Sequence, residues 1–283
     1  MTLFKAACIQ ITSGREVEPN IRTASELVRR ARDAGADLIM TPEVSDMIEP
    51  KRMLRDEKAR TESAHPMLAS FRDLARETGA HLLLGSIIVR TEGDGRLANR
   101  SFLIAPDGNI LARYDKIHMF DVDLPGGESY RESAVFKPGE ATALAALPWG
   151  VLGLTVCYDL RFPHLYRALA QGGADFLTVP AAFTVPTGKA HWHVLLRARA
   201  IENGCFVFAP AQCGEHAEGR RTYGHSLIVA PWGEVLAEAG EEPGFILAEI
   251  DPAKIAEARR AVPSLRHDRP FAPPAKRPAA AAE

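Results

Sequence analysis

Glu43, Lys116 and Cys157 are the residues of this 283-residue chain whose types could do covalent chemistry together. A carboxylate can take a thiol proton, the thiolate can attack a carbonyl carbon, and an ammonium with a backbone N–H can stabilise the resulting oxyanion. Taken singly, each has a plainer reading. A free cysteine is most often a small buried hydrophobe, a glutamate suits a helix's first turn, and a lysine belongs at the surface. Position is what joins them. Cys157 follows the apolar, β-branched run 151–156, which is too short to prefer a helix and reads as a buried strand. Pro163 is placed to open the next helix, 164–171. A thiol on such a strand-to-helix turn can point out of a sheet, and backbone N–H groups there can face an oxyanion. Glu43 closes a short buried strand at 37–41, and Lys116 follows a hairpin.

The elements that must position these groups alternate in kind. Strands are expected at 3–11, 37–41 and 81–89, helices at 19–34 and 67–78, and a hairpin at 99–105 and 109–115 around Pro106-Asp107-Gly108. The charged stretch 49–64 reads as a solvated loop or short helix. The second half repeats this plan. GADLIMTPE from Gly35 matches GADFLTVPA from Gly173 at an offset of 138, whereas SFLIAPDGNILA from Ser101 matches SLIVAPWGEVLA from Ser226 at 125. Glu77 and Gly79 likewise match Glu202 and Gly204, and the residues missing from the second copy fall where the first has its charged stretch. The same logic pairs Cys8 with Cys157 and makes Cys8 a packed residue. Two αβ copies, each with a sheet face to bury and no Pro/Gly/Ser-rich linker between them, predict an α/β four-layer αββα sandwich of two pseudo-symmetric halves. Residues 1–271 form one domain in this reading, and the Pro- and Ala-rich tail 272–283 is expected to be extended or disordered.

Composition narrows the partner. A net charge of -2, with both signs mixed along the chain, offers no basic stripe for nucleic acid and no membrane anchor, so a small-molecule partner is expected. No signal-peptide pattern and no 18-residue apolar run occurs, which points to the cytoplasm. The four cysteines, at 8, 157, 205 and 213, form no CxxC pair, so neither a structural metal site nor disulfides are expected.

TPE at 41–43, YDKIHMFDVD at 114–123 and VCYDLRFP at 156–163 resemble, in order, the three signature motifs of the nitrilase superfamily of carbon-nitrogen hydrolases. The similarity extends through PAAF at 180–183, AHWHVLLRARAIEN at 190–203 and YGHSLIVAPWG at 223–233. Within the superfamily these stretches most resemble the Nit branch, amidases of deaminated glutathione, with ω-amidases second; hydrolysis of an N-carbamoyl amino acid is a further alternative. The resemblance implies an αββα sandwich, a homodimer or larger assembly, and neither metal nor organic cofactor. It implies Glu43 as general base, Lys116 as oxyanion stabiliser and Cys157 as nucleophile. The second glutamate of the family falls on Glu132, with Glu128 its rival. It further implies hydrolysis of a linear amide of a carboxylate-bearing small molecule through a thioester, with ammonia released. His193 departs from the glutamate of the related HWE pattern.

Three further expectations concern the surroundings. Arg161, with Tyr158 and Phe183, is expected to line the substrate side, Arg161 either clamping a substrate carboxylate or paired internally with Asp159. A cysteine–histidine mechanism would need His118, His191 or His225 as base; each reads better as structural, beside an aromatic neighbour. A catalytically inactive scaffold would be favoured by loss of Glu43, Lys116 or Cys157, and none is lost.

Overall fold

The computed structural model describes residues 2–93, 95–124 and 127–273; the expected disordered tail lies, from 274 onward, outside the described residues. The first half runs β1 (Phe4–Gln10), α1 (Val17–Asp33), β2 (Leu38–Met40), α2 (Arg52–Lys58), α3 (Pro66–Thr78), β3 (His81–Arg90), β4 (Leu97–Ile104) and β5 (Ile110–Asp115). A small hairpin of β6 (Asp121–Asp123) and β7 (Ser129–Arg131) follows. The second half runs β8 (Ala143–Leu147), β9 (Gly150–Leu154), α4 (Pro163–Gln171), β10 (Phe176–Thr178), α5 (Val185–Asn203) and β11 (Phe206–Ala209). Another small hairpin, β12 (Cys213–Glu215) with β13 (Arg221–Tyr223), precedes β14 (Leu227–Val229), β15 (Val235–Glu238), β16 (Gly244–Ile250) and α6 (Ala253–Ala261).

Both six-stranded sheets follow one plan, β16-β1-β2-β3-β4-β5 and β8-β9-β10-β11-β14-β15. Each has two parallel pairings among its first-to-third core strands and antiparallel pairings outside them. The repeat is thus one of topology, with a single difference of connectivity. The strand beside β1 is the late β16, whereas the strand beside β9 is β8, immediately before it. Gly79 after α3 and Gly204 after α5 both take left-handed φ, 64° and 56°, which supplies the same helix stop in the two copies. The charged stretch becomes α2 and a single turn at Glu62–Ala64, neither of which contributes a buried residue.

The strands stack as a sandwich because side chains alternate. Phe4, Ala6, Cys8, Leu38, Met40, Leu83 and Leu103 from the first sheet share one apolar cluster with Leu152, Leu154, Phe176, Phe208, Leu227 and Val229 from the second. The Phe4 ring lies 4.3 Å from that of Trp149 and 5.4 Å from that of Phe176. The opposite face of the first sheet, including Ala7, Ile9, Ile39, Leu82 and Phe102, packs on Ile21, Leu27, Phe71 and Leu74 of α1 and α3. On the second sheet, α4 and α5 bring Leu165, Leu169, Trp192 and Leu196. The central strands β2 and β10 have three residues each, all buried. Burial of such side chains contributes roughly 1.5–3 kcal/mol apiece, which is how strands this short hold their place.

One expectation is corrected by the register. Cys8 is opposite Met40, and Leu154 is opposite Thr178; Met40 and Thr178 are equivalent in the repeat, so the counterpart of Cys8 is Leu154. Cys157 lies three residues further along, beyond the strand, where the first copy has Ile11. Cys8 is fully buried, as expected of a packed residue.

Candidate active site

Glu43, Lys116 and Cys157 leave three different strand ends and meet. Glu43 follows β2 on a turn closed by Ser45 Oγ donating to Pro42 O (2.7 Å), with Val44 at a φ of 46°. The turn is pressed against a bulge in β3, where a Cβ on Gly85 would stand 1.9 Å from Thr41 O, so only glycine lets β3 approach so closely. Val44 N–H donates to Ser86 Oγ on the same bulge (2.8 Å). Cys157 follows β9 at a φ of 49°, at the start of a tight helical turn Cys157–Arg161 that precedes α4. Strain at a non-glycine residue persists only where its surroundings over-determine it. Here Asp159, fully buried, does so: its Oδ2 accepts from Val156 N–H (2.9 Å) and Tyr114 Oη (2.7 Å), and its Oδ1 from His118 N–H (3.1 Å). Lys116 follows β5, its N–H donating to Asn99 O (3.0 Å).

Lys116 Nζ donates to Glu43 Oε1 (2.8 Å) and to both oxygens of Glu132 (2.9 and 2.8 Å). Glu132 Oε2 also accepts from Phe120 N–H (2.6 Å). Glu128, the rival for this place, instead accepts the Tyr130 hydroxyl at 2.9 Å. Glu43 Oε2 accepts from Ala182 N–H (2.9 Å), just past β10, and the Glu43 charge acts on the Cys157 thiol. The three side chains are almost wholly buried, Cys157 being 8% exposed. Burial pushes the Glu43 carboxyl up, yet the Lys116 ammonium outweighs it and the net direction is down. For Lys116, burial works against the charge, and Glu132 and Glu43 reverse it to well above the ordinary lysine value. Cys157 is driven well up, first by burial and then by the Glu43 charge. The group therefore holds an ionised carboxylate against a neutral thiol, with an ammonium between two carboxylates: a base, a nucleophile that becomes charged only as it reacts, and a fixed cation for a developing oxyanion.

The turn supplies one N–H to such an oxyanion, and it is not that of Cys157. Cys157 N–H donates to Pro180 O (2.9 Å), whereas Tyr158 N–H has no acceptor among the described residues. Arg161 is not paired with Asp159, whose oxygens are taken. Its guanidinium lies 5.9 Å from the Tyr158 ring centroid and 5.4 Å from that of Phe183, and Nη1 is 3.2 Å from His191 Nδ1. The expected substrate-side trio thus stands together, without a carboxylate at ion-pair distance among the described residues.

The histidines are occupied elsewhere. His118 stacks on Phe162 at 3.5 Å and reaches Asp159 Oδ1 at 2.7 Å. His193 and His225 both bond Oε1 of Glu238, at 2.9 and 3.0 Å, and His225 stacks on Tyr223. These two with Glu238 are the one grouping among the described residues whose donor atoms could hold a metal ion, and it shares no residue with the group around Cys157.

Sequence reasoning missed Asn99, which donates to Glu43 Oε1 (3.0 Å) and Glu132 Oε1 (3.4 Å) from the middle of β4. Asn99 is followed by Arg100 and Ser101, so its polarity did not single it out in the sequence. Gln212, whose Nε2 donates to Glu43 O (2.9 Å), left no signal either, because it reaches the site from a loop far along the chain.

The model of the carbon-nitrogen hydrolase family matches residues 5–260. A deaminated glutathione amidase of Synechocystis is 43% identical over 274 residues, covering 94% of this chain and 98% of that one. The Omega-amidase NIT2 of Homo sapiens is 35% identical over 271 residues, covering 95% and 96%. Among solved structures, the NitFhit protein of C. elegans aligns at a TM-score of 0.89 and 36% identity, covering 94% of this chain and 65% of that longer one. No helix among the described residues is long and apolar enough to cross a membrane. With its paired sheets, its three strand ends converging on one thiol, and this similarity over almost its whole length, the chain belongs to the carbon-nitrogen hydrolase family and is an amide hydrolase of the nitrilase superfamily, acting on carbon-nitrogen bonds other than peptide bonds.

Proposed function

We propose that the enzyme cleaves the amide of deaminated glutathione, with Cys157 as nucleophile. Glu43 takes the thiol proton as sulfur attacks the amide carbon, and hands it to the departing nitrogen. Lys116 and Tyr158 N–H stabilise the oxyanion, and Glu132 holds Lys116 in place. A water activated by Glu43 then resolves the thioester. The observation that carries this chemistry is the Lys116 ammonium held within 2.9 Å of two carboxylates, one of which acts electrostatically on the buried Cys157 thiol.

Arg161 supports the substrate choice. A guanidinium with two aromatic faces beside it and no acidic partner suits a substrate carboxylate. Release of ammonia, expected from the sequence, applies to the primary amide of 2-oxoglutaramate; in deaminated glutathione the amide nitrogen belongs to cysteine, so cysteinylglycine leaves. The ω-amidase reading is the second one, favoured by the 35% identity to Omega-amidase NIT2 and served by the same residues. Our reading places the enzyme in the cytoplasm as a homodimer or larger assembly, for which exposed Val194 and Ile201 on one face of α5, with Trp232, offer apolar surface.

The test is turnover of deaminated glutathione, 2-oxoglutaramate, an N-carbamoyl amino acid and a simple nitrile, following the freed amine or ammonia together with the carboxylic acid. Deaminated glutathione is expected to give the highest kcat/KM. A higher value for 2-oxoglutaramate would make this an ω-amidase.

A further inference from the structure

Arg220 has no part in the chemistry above, yet it stands beside it. The residue ends the tight turn between β12 and β13, and its Nη2 donates to Ala182 O at 3.4 Å, on the residue whose N–H holds Glu43. Its guanidinium lies 5.9 Å from the Tyr130 ring centroid. That ring continues through Phe120 (5.1 Å) to Tyr158 (5.0 Å), the residue after the nucleophile. Arg161 lies over Phe183, so the two arginines bracket residues 182 and 183.

Arg220 lacks what an arginine in such a place needs. Its Nε is buried without a hydrogen-bond partner, and no carboxylate among the described residues lies at ion-pair distance. Arg131, next to Tyr130 in the chain, is by contrast paired with Asp123 at 2.8 Å. A buried N–H left without an acceptor costs stability, and clefts that gather charge of one sign attract substrates of the other. Its frame is fixed. His216 N–H donates to Arg220 O (2.7 Å), and the His216 ring bonds Ser13 O (3.0 Å) and Thr222 Oγ1 (2.7 Å). Tyr223 N–H donates to Phe183 O (2.9 Å), and a Cβ on Gly188 would come within 2.2 Å of the Tyr223 ring, so α5 rests directly on the hairpin. The positive charge also acts on Glu43, drawing its carboxyl down.

We propose that Arg220 is a second carboxylate-reading residue of the active site, so that the preferred amide carries an anionic group on each side of the scissile bond, one for Arg161 and one for Arg220. This rests on the amide-hydrolase reading and deepens its substrate. Deaminated glutathione has this form, with a 2-oxo acid on the acyl side and a glycine carboxylate on the leaving side, whereas 2-oxoglutaramate has a carboxylate on the acyl side alone.

The experiment compares deaminated glutathione with its C-terminal glycinamide, in wild type and in Arg220→Met. The variant is expected to raise KM for the acid about 10- to 100-fold, the scale of one charged hydrogen bond. For the glycinamide KM should be the same in both proteins, any change in kcat through the Glu43 charge being common to the two substrates, and Arg220→Lys should recover part of the KM loss. An equal rise of KM on both substrates, or a wild type indifferent to the amidation, would overturn the proposal. Calorimetry on Cys157→Ala protein separates it from the substrate reading, because it needs no turnover. There Arg220→Met should weaken cysteinylglycine, the leaving half that carries the glycine carboxylate, and leave cysteinylglycinamide unchanged, even if wild type cleaves no deaminated glutathione. Cysteinylglycine binding untouched by Arg220→Met would leave the arginine without this role.

Discussion

The two halves of the molecule share a sheet plan and differ in what their strand ends carry. After β2 the first half presents Glu43, while the equivalent place after β10 holds Ala181, with Ala182 lending only its N–H to Glu43. After β9 the second half presents Cys157, while the matching continuation of β1 is buried Ile11. The scaffold therefore guarantees where strand ends point, and a single residue at each end decides whether that place is chemistry or packing. Sites at the carboxyl ends of parallel strands work in this way generally.

Replacing Cys157 breaks the comparison most sharply. Cys157→Ala should abolish turnover, because no other group can form the thioester, whereas Cys8→Ala should leave the rate intact and lower Tm. Acyl-enzyme trapped on Cys8, Cys205 or Cys213 in a mass map would refute the assignment.

The charges come next. Lys116→Met should cost roughly 10² to 10³ in kcat as an oxyanion donor is lost. It also leaves Glu43 and Glu132 buried without their cation, a change on the order of 3–5 kcal/mol that denaturant unfolding at pH 7 would read. Glu43→Gln should lose roughly 10² to 10⁴ as the base is removed. Near-normal turnover would hand the role to a histidine.

The pH dependence sharpens the same point. The Glu43 carboxyl is held below its ordinary value of 4.5 despite burial. For a lowered carboxyl, the contribution to stability is complete above the unfolded value and is lost as pH falls through the folded one. The acid limb of kcat/KM should accordingly lie below pH 4.5. In Lys116→Met burial remains while the largest influence opposing it is gone, so the limb of the residual activity should move up, even with the Arg220 charge in place. A limb that stays where it was would mean that Lys116 does not set the charge of Glu43.

The smallest expected effect is architectural. Gly85→Ala places a methyl 1.9 Å from Thr41 O, so β3 and the Glu43 turn must part. Strain of this kind costs about 1–3 kcal/mol, and kcat should fall with Tm while KM changes little. The equivalent of Gly85 in the second half is Pro210, where β11 approaches the turn after β10 and Ala181 N–H donates to Pro210 O (3.0 Å). A substitution there touches no catalytic carboxylate.

Much of this was legible in the chain itself, because hydrophobic period and turn chemistry are local. The repeat from Gly35 and Gly173, the helix stops at Gly79 and Gly204, the hairpin at Pro106-Asp107-Gly108 and the proline opening α4 each lie within a few residues of what determines them. The three reactive types and their strand-end positions belong to the same class. What only tertiary structure decided are contacts across long stretches of chain. That Cys8 matches Leu154 depends on pairing register. That Glu132 rather than Glu128 meets Lys116 depends on how the β6–β7 hairpin folds back. That Asp159 serves the nucleophile's turn instead of Arg161 depends on Tyr114 and His118 arriving from the first half. Arg161 and Arg220 are left with their charge unanswered beside one thiol only once both halves have closed around it.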